Sequence, residues 1–173
     1  IQFGMDKWHE TISTKEFESV LFFKNHGPMS GGSIRHPHSQ IIGLRTYDYH
    51  EDITVENMNG WLLHEDQDIR ITLSKHPIIG FFEYNLRFKP DTPSKSITMR
   101  LQQTVRYVLD SLAKYSQSYN YFFYQLEDGY EYIKVIPRYI TTPLYVGYKI
   151  PQTCNDERAA KILRNITPYF ELK

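Results

Sequence analysis

Two runs of aromatic and β-branched residues, Tyr119 to Leu126 and Tyr130 to Ile136, lie on either side of Glu127-Asp128-Gly129. Runs of this kind joined through Asp-Gly predict a β-hairpin, because glycine reaches the positive φ that a tight hairpin turn needs. Upstream, Ile97, Leu101, Val105, Val108 and Leu112 recur at helical spacing, which predicts one amphipathic helix from about Ser94 to Tyr115. Further strands are expected at Glu18–Lys24, Arg35–Leu44, a half-exposed Asp68–Ser74, Ile78–Phe88 and Leu144–Ile150. Helices are expected over residues 5–16 and, as a short C-terminal element, Asp156–Ile166. Residues 51–67 read as polar and irregular, with a short helix near Val55. Strand groups on both sides of one long helix predict an α+β fold with a mostly antiparallel sheet.

The length of 173 residues suits one domain, residues 1–173. Acidic and basic residues number 20 each, so the formal net charge is zero. That argues against a broad electrostatic grip on nucleic acid or an acidic membrane, while leaving room for a compact basic pocket that holds one or two phosphates. Cys154 is the only cysteine, which excludes an internal disulfide and an all-cysteine metal site, and fits a reducing, cytoplasmic setting. No apolar run approaches the ~20 residues of a membrane helix. The chain opens Ile1-Gln2-Phe3-Gly4 without an initiator methionine or a signal-peptide layout, and is expected to be the C-terminal portion of a longer protein.

The segment from Phe23 to Gly43, FKNHGPMSGGSIRHPHSQIIG, concentrates the chemistry. Gly27, Gly31 and Gly32 let the backbone approach a ligand closely, and successive amides in such a loop can form an anion-binding nest. Asn25, Ser30 and Ser33 add donors, and Lys24 and Arg35 add positive charge. If Arg35–Leu44 is a strand, His36, His38 and Gln40 point to one side, with Pro37 and Ser39 on the other. Three readings of the histidine pair stand side by side. They are polar residues at a strand end beside a turn; or they ligate a metal, although Ser39-Gln40-Ile41 supplies no further ligands; or one imidazole is a nucleophile toward phosphorus, forming a covalent phosphoramidate that splits one transfer into two steps.

Phe23-Lys24-Asn25-His26-Gly27, Gly31-Gly32-Ser33 and His36-Pro37-His38-Ser39-Gln40-Ile41 together resemble the active-site signature of galactose-1-phosphate uridylyltransferases, in the histidine triad superfamily. Ile136-Pro137-Arg138 through Tyr145-Val146-Gly147-Tyr148 is a weaker echo of the same family. The resemblance implies a histidine-triad-like fold, with the second part of a first half-domain over about residues 1–50 and the remainder over 51–173. It implies that His38 is the nucleophile and that Gln40, standing where hydrolytic members carry a third histidine, favours a lasting nucleotidyl-enzyme. Asn25, Gly27, Gly31, Gly32 and Ser33 then match phosphate-binding positions. His36 matches a ligand of a structural zinc whose other ligands are not in this chain, and Tyr132 to Val135 stands where the family has a second metal site, so none is expected there. No organic cofactor is implied.

The expected activity is therefore transfer of a nucleoside monophosphate between a nucleotide sugar and a sugar 1-phosphate, with UDP-hexose as the model substrate and dimerisation as the family habit. A dinucleoside polyphosphate or nucleotide-sugar phosphorylase or hydrolase, and a non-catalytic nucleotide-binding protein, are the alternatives. Outside this segment the residue types suggest nothing catalytic. Glu83 reads as a half-exposed strand glutamate, Lys134 and Arg138 as exposed strand charges, His76 as a lone loop histidine, and Cys154 as structural.

Overall fold

Seven strands form one antiparallel sheet in the computed structural model, which describes residues 1–32, 34, 36–79, 81–114, 116–139, 143–148, 150 and 156–171. They are β1 (Ser19–His26), β2 (Gln40–Leu44), β3 (Gly60–Glu65), β4 (Ile69–Ser74), β5 (Tyr84–Phe88), β6 (Ser118–Gln125) and β7 (Glu131–Arg138). Their order across the sheet is β2-β1-β6-β7-β5-β4-β3. Helices α1 (Gln2–Ser13), α2 (Ser94–Leu112), α3 (Pro143–Tyr148) and α4 (Asp156–Glu171) complete the fold. The expected α+β class with a mostly antiparallel sheet is the one observed. No described helix is long and apolar enough to cross a membrane.

Period-two alternation sorts the sheet into two faces. One face carries Val20, Phe22, Phe123, Ile133, Val135, Leu86 and Ile71 into the main core, against Trp8 of α1, Ile97, Leu101 and Val108 of α2, and Ala159, Ile162, Ile166 and Phe170 of α4. The buried helix residues recur at three- and four-residue spacing, so each helix presents one apolar stripe to the sheet. Trp8 is fully buried and donates its Nε1–H to the Val20 carbonyl at 2.9 Å. Its ring meets Phe123, which stacks on Phe22 at 4.2 Å. The other face carries Phe23, Asn25, Asn120, Tyr132, Lys134 and Asn85. Part of it is covered by the crossover after β2, where Tyr49 and Met58 pack on Tyr124, Leu126 and Tyr132.

Several local expectations are corrected. Residues 36–39 lie outside regular structure and β2 begins at Gln40: Pro37 has no N–H for a ladder, and the His38 carbonyl takes the Lys24 ammonium at 3.3 Å instead. Residues 60–65, expected to be irregular, form edge strand β3. Residues 78, 79 and 81–83 are not strand: the Ile78 and Ile79 amides donate to the Glu83 carboxylate at 2.9 and 2.8 Å. Residues 143–148 form a helix, with Pro143 at the first position, where its missing N–H costs nothing. The C-terminal helix runs five residues past Ile166 despite Pro168, held by the buried Phe170 ring and by Arg100, which donates to the Phe170 carbonyl at 2.9 Å. Strand β4 is buried rather than half exposed at Ile69, Ile71, Thr72, Leu73 and Ser74.

Candidate functional site

Strand β1 delivers Lys24 and Asn25 to the sheet end, and the chain then turns at Gly27, whose φ is +80°. An added Cβ there would lie 2.4 Å from Ser118 Oγ and 2.8 Å from the Gln117 carbonyl, so a side chain is excluded on two grounds. A 3₁₀ turn over Pro28–Ser30 leads to Gly31, at φ +81°, with open space around it. The loop is pinned inwardly. Ser30 is buried, its hydroxyl donates to the Gly27 carbonyl at 2.7 Å and it accepts from the Gly32 amide at 3.3 Å, while the Ser30 amide also bonds Gly27. These amides and the Ser30 hydroxyl serve the loop itself, so the expected nest of free successive N–H groups is only partly available. Ser33 and Arg35 lie outside the described residues.

Asn25, Gly27, Gly32 and His36 line one groove of about 460 Å³, with Lys24, His26 and Pro37 beside them; Gly31, His38 and Gln40 are not among the residues that line it. Burial lowers the pKa of the Lys24 ammonium. Burial and then the charge of Lys24 lower that of His26, which stacks on Tyr119 at 4.7 Å. The cradle is thus a weakly basic concavity.

The three polar residues placed on one strand face by alternation are assembled by a different geometry. His38 Nδ1 lies 3.0 Å from the His36 carbonyl, and Gln40 Nε2 lies 3.3 Å from His38 Nε2. A carbonyl can only accept, so His38 Nδ1 carries the proton and Nε2 presents its lone pair. This is the tautomer an imidazole nucleophile requires. His36 contributes its carbonyl to that arrangement, while its exposed ring sits 5.7 Å from the His38 ring. Among the described residues no group of three or more His, Cys, Asp or Glu side chains converges, so the residues on hand do not assemble a zinc site around His36. Cys154 lies outside the described residues.

Asn120, which no sequence pattern singles out, holds Asn25, and Arg138 holds Asn120 in turn. The buried Asn120 of β6 donates from Nδ2 to Asn25 Oδ1 at 2.6 Å and to the Ser30 carbonyl at 3.0 Å, and its Oδ1 accepts from Arg138 Nη1 at 2.9 Å. With its oxygen occupied, Asn25 keeps its NH₂ as the end that can donate to a ligand. The Asn25↔Asn120 register pair joins β1 to the β6–β7 hairpin. Arg138 is therefore a tether rather than an exposed strand charge. Glu83 and Lys134 are likewise not exposed: both are fully buried and paired at 3.1 Å. His76 is exposed beside Glu56, at 3.8 Å.

Two family models account for nearly the whole sequence: the domain of unknown function (DUF4931) N-terminal domain over residues 1–47, and its C-terminal domain over residues 50–170. The chain belongs to the DUF4931 family. The junction between its two parts falls within one continuous sheet, since β1 of the first part pairs with β6 of the second. A crystal structure of a DUF4931 family protein from Bacillus cereus superposes with a TM-score of 0.85 at 37% identity, covering 99% of this chain and 77% of that one. A uridylyltransferase mutant matches at TM-score 0.71 and 14% identity, over 96% of this chain and 69% of that chain. A further uridylyltransferase structure matches at TM-score 0.69 and 15% identity, over 96% and 66%. At these identities the likeness is one of fold: this chain shares the scaffold of the two uridylyltransferase structures, consistent with the fold expected from the sequence. Among curated proteins the sequence finds no match.

Proposed function

We propose that this DUF4931 protein is a nucleotidyltransferase that works through a covalent nucleotidyl-histidine on His38. The observation that carries the reading is the clamp on the His38 ring: Nδ1–H donates to the His36 carbonyl, which leaves the Nε2 lone pair facing the Gln40 amide nitrogen at 3.3 Å. In the first step the Nε2 lone pair forms a bond to the α-phosphorus of a nucleotide sugar such as UDP-hexose. The bond from that phosphorus to the bridging oxygen breaks, and a sugar 1-phosphate leaves with the electron pair. A second sugar 1-phosphate then attacks the same phosphorus and His38 leaves, restoring the neutral ring once Nδ1–H is again shared with the His36 carbonyl.

Negative charge on the phosphoryl oxygens rises in both steps, and donors already aimed at it are worth most. The Asn25 NH₂ and the Gln40 amide take this role, with Gly27 and Gly32 lining the groove beside Asn25. Gln40 has a second consequence. An amide accepts no proton near neutral pH, so it does not activate water against the phosphoramidate, and transfer outlasts hydrolysis.

The test is incubation with UDP-glucose labelled at the α-phosphate, followed by acid and base treatment. Acid-labile, base-stable label is expected on the wild-type protein and none on His38→Ala. Steady release of UMP without a sugar 1-phosphate acceptor would instead make the protein a hydrolase, and label retained by His38→Ala would move the nucleophile elsewhere.

A further inference from the structure

On the sheet face opposite the helices, Arg70 of β4 and Arg87 of β5 are direct cross-strand partners. Two like charges in that relation repel, with Cβ atoms only about 5 Å apart. Both line a cavity of about 220 Å³, together with Met58 and Asn59. One row of the sheet beneath it is Glu65, Arg70, Arg87 and Tyr132; the next is Leu62, Thr72, Asn85 and Lys134, polar apart from Leu62.

The fixed partners in this cavity leave a defined remainder. Arg87 lies over the Tyr130 ring, 4.4 Å from its centroid, and also reaches the Tyr132 hydroxyl. Arg70 gives one nitrogen to Glu65, outside the cavity, at 3.2 Å. Asp128, the one acidic residue among the lining, accepts from the Tyr132 hydroxyl at 2.5 Å and from the Tyr130 amide at 3.2 Å, so both its oxygens are engaged. The floor supplies the second observation. Asn85 is 1% exposed, and its Nδ2 donates to the Met58 carbonyl at 3.0 Å and to Thr72 Oγ1 at 3.2 Å. The bond to a carbonyl fixes which end of the amide is nitrogen. Asn85 Oδ1 is therefore an acceptor, and among the described residues it has no partner. A buried acceptor without a donor is costly, and such a group calls for a ligand or a water.

We propose that this cavity is a second ligand site, which takes a small phosphate monoester carrying a hydroxyl group next to the phosphate. Two planar guanidinium forks side by side match the several oxygens of a phosphoryl group, and its negative charge removes the Arg70–Arg87 repulsion. The hydroxyl supplies the donor that Asn85 Oδ1 lacks. The volume suits a ligand smaller than the 300–1,000 Å³ range of drug-sized pockets. The site is separate from the His38 cradle: β5 stands four strands from β2 in the sheet, about 19 Å at ~4.8 Å per strand. It stands whether or not His38 is a nucleophile.

The probe is glycerol 3-phosphate, titrated into ¹⁵N-labelled protein and followed through backbone amide resonances, with inorganic phosphate in a parallel arm. Saturating shifts are expected at residues 58–60, 70–72 and 85–87, with inorganic phosphate binding more weakly there because it brings no hydroxyl beside the phosphoryl group. In Arg70→Gln/Arg87→Gln the same amides should respond about tenfold more weakly or not at all, for the loss of charge-assisted hydrogen bonds, while any response of the Gly31–Gly32 amides is unchanged. If the double variant does not fold, Arg87→Lys keeps the charge and loses the fork, and weaker binding at the same amides is expected. The proposal is overturned if the wild type shows no saturating shift at 70–72 and 85–87, if those shifts persist undiminished in the folded variant, or if inorganic phosphate binds there as tightly as glycerol 3-phosphate.

Discussion

The Lys134 ammonium lies 3.1 Å from the Glu83 carboxylate, and neither side chain reaches solvent. Glu83 also accepts from the Ile78 and Ile79 amides, while Lys134 donates to the Asn57 carbonyl at 2.9 Å and Ser74 Oγ at 3.3 Å. The pair thus ties the Ile78 and Ile79 amides and the 3₁₀ turn over Val55–Met58 to the middle of β7. Burial pushes the Lys134 pKa down and the Glu83 carboxylate opposes that shift. Removing one partner strands a buried charge, at a cost of about 3–5 kcal/mol. Lys134→Met and Glu83→Gln should each lower the urea midpoint accordingly, and the double variant Glu83→Gln/Lys134→Met should lose less than the sum. Additive losses would show that the two charges are not coupled.

That pair also marks where sequence reading stops. The Tyr119–Ile136 hairpin and the α2 stripe were legible because their periodicities are local and their apolar residues are buried as the pattern demands. Charged residues on strands are usually exposed, and nothing within a few positions of Lys134 reveals that its partner stands 51 residues earlier. The same holds for Asn120, whose role depends on its register opposite Asn25. The segment from Asn25 to Gln40 stands out in the sequence for its glycines and histidines, but its geometry does not. Alternation required a strand that Pro37 does not permit, and the His38 ring is oriented by a backbone carbonyl that no side-chain pattern encodes. Residues 143–148 misled for a simpler reason: Leu144, Val146 and Tyr148 are exposed, so their apolar character reports no buried strand.

Asn120 gives a prediction for the cradle. It holds Asn25 Oδ1 at 2.6 Å and is itself held by Arg138. Asn120→Ala frees the Asn25 amide and leaves the Ser30 carbonyl without this donor. Loss of one well-aimed hydrogen bond to a charged group is worth about 1.5–3 kcal/mol, so labelling of His38 should slow by about 10- to 100-fold. Arg138→Ala acts through Asn120 and should cost less. A single-turnover labelling assay beside a thermal melt checks this; a fall in melting temperature with an unchanged labelling rate would assign Asn120 to stability alone.

The two left-handed glycines of the loop should behave differently. Gly31 sits at φ +81° with nothing near an added Cβ, so Gly31→Ala meets only the backbone cost of about 1–2 kcal/mol. Gly27, at φ +80° and ψ 166°, occupies a region essentially confined to glycine, so Gly27→Ala meets a backbone cost of about 1–3 kcal/mol and a collision with the Gln117 carbonyl and Ser118, for a total of roughly 2–6 kcal/mol. Urea unfolding of the two variants checks the order. Equal losses would mean that the β6 end yields freely to the loop.

Two histidines give the stability a pH dependence of opposite sign. The hydrogen bond that His9 Nε2–H donates to the Glu131 carboxylate at 2.6 Å raises the His9 pKa above 6.5, against burial. Its contribution is fully present below about pH 6.5 and is lost as pH rises through the raised value. Burial and Lys24 lower the His26 pKa, so its folded state binds fewer protons and stability falls as pH drops below 6.5. The melting temperature should therefore decline on both sides of that region. His9→Gln should flatten the alkaline limb and His26→Gln the acid limb, each leaving the other limb in place.

Gln40→His tests what the amide beside the nucleophile does. Gln40 Nε2 stands 3.3 Å from His38 Nε2, close to where the phosphoramidate bond would form. An imidazole at position 40 can accept a proton from water, and general base catalysis contributes about 10²–10⁴-fold. Wild-type label on His38 should persist until a sugar 1-phosphate is added. In Gln40→His it should decay without acceptor, faster by a factor within that range, with UMP as the product. Formation of the label should change less than its decay, because the first step uses the His38 lone pair, which the His36 carbonyl still orients. Gln40→Asn, which shortens the side chain but adds no base, is the control: it should weaken formation and leave decay slow. A label equally long-lived in Gln40→His would mean that water is kept from the phosphorus by the shape of the cradle rather than by the chemistry of residue 40.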